Sequence, residues 1–440
     1  MRKIIAQITF LLTDLLMILS IAVFWFQSSA ESIRQGFAME LVAYGRLCGL
    51  FAWYLALKQI LYIGRVQWLQ MPFGFASLAN LHKRNGILVY LLIGLHILLL
   101  TVGLSIKYER SFLVQIFSFL NYSEDFIIAA LGFLLLTGVV LVTLLKKRFK
   151  YETWYYLHLT VYLTLILSWE HPLEFGHDFE KNALFKNIWI ILTVFCLINI
   201  VAYRFLLPLL TYWRQKFTVS RIVQENDDVW SIYISGQAIN RLRIEAGQFI
   251  VVRFLQKNLW KEAHPFSVSA LPSTKELRIT VKALGDFTNN VSQIPVGTKV
   301  LIEGPHGDFT YQRASGKKVL LLAGGIGITP LRSIAEALLK QGREVVLFYS
   351  HRYERDGVFI AELDALKEQG LKVFHVISRG DINIGEQGRI NKERLRRLVN
   401  NVEDYETFIC GPVSMMSDCH AIVRSLGVPR KKIYAERFIY

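Results

Sequence analysis

The sequence predicts three parts in tandem: a bundle of six membrane-spanning helices, a small antiparallel β-barrel, and an α/β domain built on a parallel sheet. Three observations predict this. Apolar residues make up 53% of the 440 positions, and up to about Tyr212 they are gathered into long runs. From Lys216 to about Tyr311, short apolar runs such as "GQFIVVRFL", "HPFSVSAL", "ELRITVKAL" and "KVLIEGPHG" alternate with Gly and Pro punctuation, as in a barrel of short strands. From Lys317 onward, strand-like "KVLLLAGG", "EVVLFYS" and "KVFHVIS" alternate with helix-like "TPLRSIAEALLKQG" and "VFIAELDALKEQG". That order implies βαβ units. The expected domains are 1–212, 213–313 and 314–440.

The six spans are expected at Ile4–Phe26, Phe37–Ile63, Gly86–Ile106, Phe126–Leu145, Thr153–Trp169 and Asn187–Leu210. Most approach the roughly 20 residues that cross a bilayer as helix. The fifth is short and carries polar groups. No small-residue cleavage site follows the first, so it reads as a span and not a removed signal.

Charge then orients the chain. With the N-terminus inside, the inner loops hold Arg2, Lys3, Arg65, Lys83, Arg84, Lys146, Lys147, Arg148 and Lys150, and Arg214 and Lys216 follow the last span. The outer loops hold only Arg34, Lys107, Arg110, Lys181 and Lys186. The positive-inside rule places the N-terminus and the C-terminal half in the cytoplasm of a multi-pass plasma-membrane protein. Much of the net charge of +15 is therefore a topology signal and not a nucleic-acid footprint. Cys48, Cys196, Cys410 and Cys419 form no C-x-x-C pair, so neither a disulfide framework nor a zinc site is indicated.

Two spans carry paired histidines. His82 and His96 are fourteen residues apart, nearly four whole turns, so their rings share one face about 21 Å apart. His158 and His171 are thirteen apart, which on a straight helix leaves the second about 140° off the face of the first. Pro172 follows His171, and a local distortion there would change that angle. Imidazole is costly in lipid unless satisfied. Four nitrogens at two depths on two parallel helices could hold two stacked metal centres, and histidine is a common axial ligand of haem iron. The alternative is that one or two of these rings cap helix ends at the interface. His177 reads as a solvated loop residue.

This spacing resembles the ferric-reductase-type transmembrane domain of the NADPH oxidase family. The resemblance implies that His82, His96, His158 and His171 ligate two b-type haems. It extends to "GRLCGLFAWYLALKQILYIGR", where it implies that Arg46 lies beside the outer haem; snorkelling of Arg46 to the interface is the alternative.

The cytoplasmic motifs extend the likeness. "HPFSVSA" resembles the flavin-binding strand of the ferredoxin-reductase superfamily. Ser267 can supply a small hydroxyl to the flavin, Pro265 and Phe266 a rigid apolar surface, and His264 opens the motif. "KALGDFT" resembles the segment that holds the FAD pyrophosphate, which falls on Lys282, Gly285 and Thr288. A plain barrel strand and a turn are the alternatives for these two stretches.

"AGGIGITP" follows a strand and opens a helix. Gly324, Gly325 and Gly327 allow close backbone approach, Thr329 can cap, and Pro330 suits a first turn. The stretch resembles the superfamily's nicotinamide-dinucleotide loop, and Cys410, Gly411 and Pro412 match its "CGP" motif near the nicotinamide. Cys410 as a small buried apolar residue is the alternative. Ser350 and Arg352 stand where an NAD enzyme often places a carboxylate, and hydroxyl plus guanidinium suits a 2′-phosphate. NADPH is thus the expected donor, with NADH the other option. The ending "AERFIY" resembles a terminus whose aromatic covers the flavin, which aligns Phe438 to that role with Tyr440 as its rival.

The resemblance implies a ferredoxin-reductase-like half feeding a haem-binding bundle. Hydride would pass from NADPH to FAD, and electrons through two haems to extracellular oxygen, with superoxide as product. A ferric or cupric reductase with the same electron path is the close rival. A histidine that animal oxidases carry one turn beyond the outer ligand is Leu100 here. No calcium loop or docking tail resembles a regulatory element, so no obligatory protein subunit is expected.

Overall fold

The computed structural model describes residues 2–237, 239–257, 259–380 and 385–437. The chain divides into two compact units, Met1–Tyr203 and Arg204–Tyr440.

The first unit is helical. In order it contains α1 (Arg2–Arg34), α2 (Phe37–Ile63), α3 (Gln67–Phe73), α4 (Phe75–Lys107), α5 (Phe112–Leu120), α6 (Glu124–Leu144), α7 (Tyr151–Leu159), α8 (Val161–Leu167), α9 (Glu170–Phe175), α10 (His177–Lys181) and α11 (Ala183–Val201). Among the described residues, five helical stretches are long and apolar enough to cross a membrane: Ile4–Arg34, Phe37–Ile63, Ser77–Lys107, Glu124–Leu144 and Ala183–Gln215.

The expected fifth span, Thr153–Trp169, is not one long helix and is not among these five. It is broken into α7, α8 and α9. Two local causes are visible. The Thr160 hydroxyl donates to the Leu157 carbonyl at 2.7 Å, a bond that competes with the helical ladder. Pro172 has no N–H to offer the Ser168 carbonyl one turn back. Gly132 of α6 makes room for the second break, since a Cβ there would lie 2.8 Å from Ser168 Oγ.

Helix α2 is the centre of the unit and buries residues on all sides. Small residues let it approach α4 closely. A Cβ on Gly103 would meet the Ala38 carbonyl at 2.6 Å, and one on Gly45 would meet the Leu100 backbone at 3.2 Å. In lipid, such close backbone packing replaces the hydrophobic drive available in water. Ile21, Trp25, Leu50, Tyr54, Phe185 and Trp189 fill the space between α1, α2 and α11.

The second unit opens with α12 (Leu207–Gln215), which follows a short π-helical turn. Six strands come next: β1 (Thr218–Asn226), β2 (Val229–Ser235), β3 (Phe249–Phe254), β4 (His264–Ser267), β5 (Glu276–Lys282) and β6 (Val300–His306). They form two three-stranded antiparallel sheets, β1-β2-β5 and β4-β3-β6. Isolated bridges Thr218↔Lys299 and Val268↔Ile279 join them, in place of the continuous barrel expected. Phe217, Ile232, Val252, Phe254, Ile279 and Ile302 pack between the two sheets.

The remainder is a six-stranded parallel sheet. Its strands are β7 (Lys318–Gly324), β8 (Glu344–His351), β9 (Lys372–Ile377), β10 (Glu386–Gln387), β11 (Glu406–Cys410) and β12 (Ile433–Glu436), in the order β10-β9-β8-β7-β11-β12. Leu320, Leu321 and Leu322 are fully buried, so β7 is covered on both faces as a central parallel strand must be. A short helix (Asp286–Asn289) precedes the sheet, and helices at Ile328–Lys340, Ile360–Glu368, Lys392–Leu398 and Val413–Ser425 accompany it. An ion-pair bridge fastens the two sheet systems. Buried Arg278 of β5 donates to Glu362 at 3.0 Å, and Arg332 meets the same carboxylate at 2.8 Å.

Candidate functional site

The four histidines come together as two pairs, one from each side. His82 on α4 faces His158 on α7 with ring centroids 6.1 Å apart, and His96 on α4 faces His171 on α9 at 6.4 Å. The breaks at Thr160 and Ser168 relieve the mismatch expected of a straight helix. Trp154 lies stacked on His158 at 5.3 Å, and Phe126 packs edge-on against His171 at 5.3 Å.

Three of the rings have one nitrogen committed to protein. His82 Nδ1 donates to the Gln59 carbonyl at 3.2 Å, and His96 Nδ1 to the Gly45 carbonyl at 2.8 Å. His158 Nδ1 lies 3.2 Å from Thr143 Oγ1, whose own hydrogen is given to the Val139 carbonyl at 2.8 Å. The hydroxyl must therefore accept from the imidazole. A ring that spends its Nδ1 hydrogen in this way presents Nε2 as a neutral ligand nitrogen.

The pairs fit haem. Metal–imidazole bonds of about 2 Å on either side, plus the ring radii, separate two ring centres by roughly 6 Å. Among the described residues no group of three or more His, Cys, Asp or Glu could hold a metal ion. Each pair thus offers two ligands and no more, which suits an iron whose other positions are filled by a macrocycle. Arg46 sits one residue after the carbonyl that holds His96. Its Nη2 donates to Ser29 Oγ at 2.7 Å, and Asp178, buried and bonded to Ser28, is its charge partner. Arg46 therefore belongs to a polar cluster among α1, α2 and α10, unlike a side chain that snorkels alone.

In the second unit, β4 carries His264, Pro265, Phe266 and Ser267. Ser267 is buried opposite Phe249, while Pro265 is exposed. His264 bonds Glu262 at 2.8 Å and packs against Phe287 at 4.0 Å. Lys282 pairs with Asp228 at 3.1 Å. The Thr288 hydroxyl accepts from the Leu284 and Gly285 amides at 2.9 Å each, closing the turn expected to face the pyrophosphate.

Strand order reverses between β7 and β11, and open parallel sheets bind nucleotides at such a switch point. The two expected loops meet there. A Cβ on Gly327 would lie 2.3 Å from the Cys410 carbonyl, and one on Gly411 would lie 3.0 Å from Gly324 Cα. Gly325 adopts φ +51°, a conformation that glycine adopts without strain. Thr329 Oγ1 donates to the Ile326 carbonyl at 2.9 Å, and Pro330 lies in the first turn of the helix. Ser350 lies next to Gly324 across the β7–β8 pair, and the Arg352 side chain is exposed beyond it. Cys410 is fully buried, and burial raises its thiol well above the usual range, with Glu436 adding to the shift. Phe438 and Tyr440 lie outside the described residues.

Glu436 was missed by sequence reasoning. It pairs with Cys410 across β11–β12 and approaches Gly307, which in turn packs on Phe249, the strand partner of Ser267. Its outer edge stays accessible, yet burial pushes the carboxyl up to about 8, with Asp308 adding to the shift. Glu436 thus lies where three expected motifs meet, with its carboxyl shifted by its surroundings. The only sequence signal was its place before the terminal aromatics.

Comparison with known proteins follows the same order. Residues 48–169 match the ferric reductase like transmembrane component, 214–310 an FAD-binding domain and 321–421 an oxidoreductase NAD-binding domain. Flavohemoprotein A of Dictyostelium discoideum is 34% identical over 250 residues, covering 51% of this chain and 61% of that protein. The ferredoxin reductase component of 3-ketosteroid-9-alpha-monooxygenase from Rhodococcus rhodochrous is 31% identical over 231 residues, covering 50% and 64%. The chain spans under two thirds of the length of both. The flavohem-like FAD/NAD binding domain of nitric oxide dioxygenase from Vibrio cholerae aligns with a TM-score of 0.46 at 24% identity, covering 51% of this chain and 98% of that one.

Fold and matches together define a class: a membrane-embedded ferric-reductase-type unit joined to the flavin and nicotinamide domains of an NAD(P)H-dependent oxidoreductase. The chain has the flavocytochrome b architecture shared by NADPH oxidases and ferric reductases.

Proposed function

We propose that this chain carries electrons from cytoplasmic NADPH through FAD and two b-type haems to extracellular oxygen, releasing superoxide. The observation that carries the reading is the double histidine pairing, at 6.1 and 6.4 Å, with Nδ1 of three rings already committed to protein. When bound, FAD would accept hydride and pass electrons on singly, and the haems would conduct them. Each NADPH gives two electrons and one proton; two oxygen molecules take one electron each, and the proton stays on the donor side.

The chain's own residues bind and orient. His82 with His158, and His96 with His171, hold the two haems. The loop of Gly324, Gly325 and Gly327 lies against Cys410–Pro412 and receives the dinucleotide, while Ser350 and Arg352 read its 2′-phosphate. Ser267, Pro265 and Phe266 line the flavin, and Lys282, Gly285 and Thr288 hold its pyrophosphate. Phe438, or Tyr440 in its place, covers the flavin until nicotinamide arrives. The basic loops support a plasma-membrane topology with both termini in the cytoplasm.

One observation favours a second reading, a ferric or cupric reductase. Leu100 packs against Gly45 at the outer pair, which leaves an apolar side chain where the animal oxidases have a histidine. The test supplies NADPH to purified, haem-loaded protein and compares superoxide formation with reduction of chelated iron. Superoxide at the rate of NADPH oxidation supports the oxidase. Iron reduction that persists when superoxide is removed by dismutase supports the reductase.

A further inference from the structure

The loop between β3 and β4, Leu255 to Ala263, has no part in the expected cofactor sites. Its described residues, 255–257 and 259–263, are nonetheless firmly held. Leu259 is buried in the core of the two sheets, the Leu259 and Trp260 amides both donate to the Gln256 carbonyl at 3.0 Å, and Arg253 Nη1 donates to the Trp260 carbonyl at 2.7 Å. This scaffold holds the indole of Trp260 51% exposed, with Lys261 Nζ 5.9 Å from its ring. A large apolar ring fixed in water is costly, and indole is favoured where an apolar layer meets a wet one.

Position adds to composition. The last candidate span ends at Gln215, with Trp213 exposed beside it. Two residues on, the Phe217 carbonyl accepts from the Val300 amide at 3.0 Å, and the Lys299 carbonyl accepts from the Leu255 amide at 2.8 Å. The loop therefore starts two hydrogen bonds from Phe217, two residues past the end of the last candidate span. The turn before Lys299 lies at the same rim, because the Gly297 amide donates to the Val219 carbonyl at 2.8 Å, and it exposes Val296. Charge on these segments is one-sided. Arg214, Lys216, Lys257, Lys261 and Lys299 face a single acid, Glu262, which is bonded to His264.

We propose that this rim docks on the anionic lipid headgroups of the membrane in which the chain is embedded, with Trp260 inserted at the headgroup level and Lys257 and Lys261 on the phosphates. Acidic inner-leaflet lipids attract basic segments that lie within a Debye length, and an exposed aromatic adds apolar contact. The inference rests on the membrane assignment and not on the electron acceptor. The residues expected to hold the cofactors are not among those of the rim.

The test uses the full chain in lipid nanodiscs, with a nitroxide on Trp260→Cys and a second on Gln369→Cys as a distant exposed control. Nanodiscs contain phosphatidylcholine alone or with phosphatidylserine. Expected is a shift at position 260 from water-like to lipid-like accessibility, read as oxygen over a nickel chelate, when phosphatidylserine is present. High salt, or Lys257→Gln with Lys261→Gln, should reverse the shift. Water-like accessibility at both positions in every lipid overturns the proposal. So does a label at 260 that is shielded from both probes in lipid-free detergent, which would mean that protein or bound flavin covers the loop. NADPH-to-flavin reduction measured in the same samples reports whether the enzyme reading stands independently.

Discussion

His96 rests directly on Gly49: a Cβ at that glycine would lie 2.7 Å from Nδ1 of the imidazole and 2.9 Å from Cε1. One turn away on α2, the Gly45 carbonyl accepts the same Nδ1 hydrogen. The outer histidine is thus seated in a notch whose floor is bare helix backbone, and its orientation follows from two glycines and not from a polar partner side chain.

Gly49→Ala should therefore disturb the outer pair selectively. Overpacking of this kind costs roughly 1–3 kcal/mol, and a ring pushed off the added methyl moves away from the Gly45 carbonyl. Gly94→Ala on α4 meets nothing within 4 Å and serves as the control. Haem content per protein should fall to about half in the first variant and stay full in the second. Equal, full haem in both would mean that the notch does not position His96.

Thr143→Val tests the inner pair from the other side. The substitution keeps the shape but removes the oxygen that accepts from His158, leaving a half-buried donor unmet at a cost of about 1 kcal/mol. The inner haem should bind more weakly, with the outer one unaffected. His82→Ala and His158→Ala should abolish inner binding, and His96→Ala and His171→Ala outer binding, with NADPH-to-flavin reduction intact in all. Absorption spectra of the purified variants decide it. A complete haem complement in all four histidine variants would sink the ligand assignment.

The histidine faces were legible because helical periodicity is local: fourteen residues on α4 return to one face whatever surrounds them. The second helix was legible only in part. Its register depends on breaks at Thr160 and Ser168, and those depend on a side-chain bond to Leu157 and on the space left by Gly132. Sequence places Thr and Pro there but does not say which carbonyl each will leave unpaired. The reach of α4 was also under-read. The apolar span starts at Gly86, yet the helix runs from Phe75, and Gln59 and Asn85 bond one another and the neighbouring backbone along that polar first part. Glu436 was opaque for a different reason: its environment is assembled from Cys410, Gly307 and Asp308, none of which is near it in sequence.

Arg352→Ala addresses donor choice. The guanidinium is exposed beyond Ser350, and only NADPH offers it a 2′-phosphate with which to form a charge-assisted pair, a kind of bond worth about twice a neutral one. The KM for NADPH should rise about tenfold or more, equivalent to about 1.4 kcal/mol, while that for NADH changes little. Steady-state kinetics with both donors check it. Equal effects on the two would show that the loop does not read the phosphate.

Glu436 predicts a pH dependence whose sign follows from burial. Its carboxyl is pushed up to about 8, whereas in the unfolded chain it titrates near the ordinary 4.5. The folded state therefore holds the proton more tightly. This group's contribution to stability is fully present below about pH 4.5, declines as the unfolded chain ionises first, and is lost as pH passes through about 8. The slope is at most about 1.4 kcal/mol per pH unit, and the accessible edge of the side chain reduces it. Glu436→Gln keeps the shape and removes the titration. The melting temperature of the second unit, followed by flavin fluorescence on heating from pH 5 to pH 9, should fall with pH in the parent chain and fall less steeply in the variant. The two curves should lie closest at pH 5 and furthest apart at pH 9, with the variant the more stable there. Parallel curves would mean that Glu436 is ionised throughout, and that the carboxylate is held by water at its exposed edge.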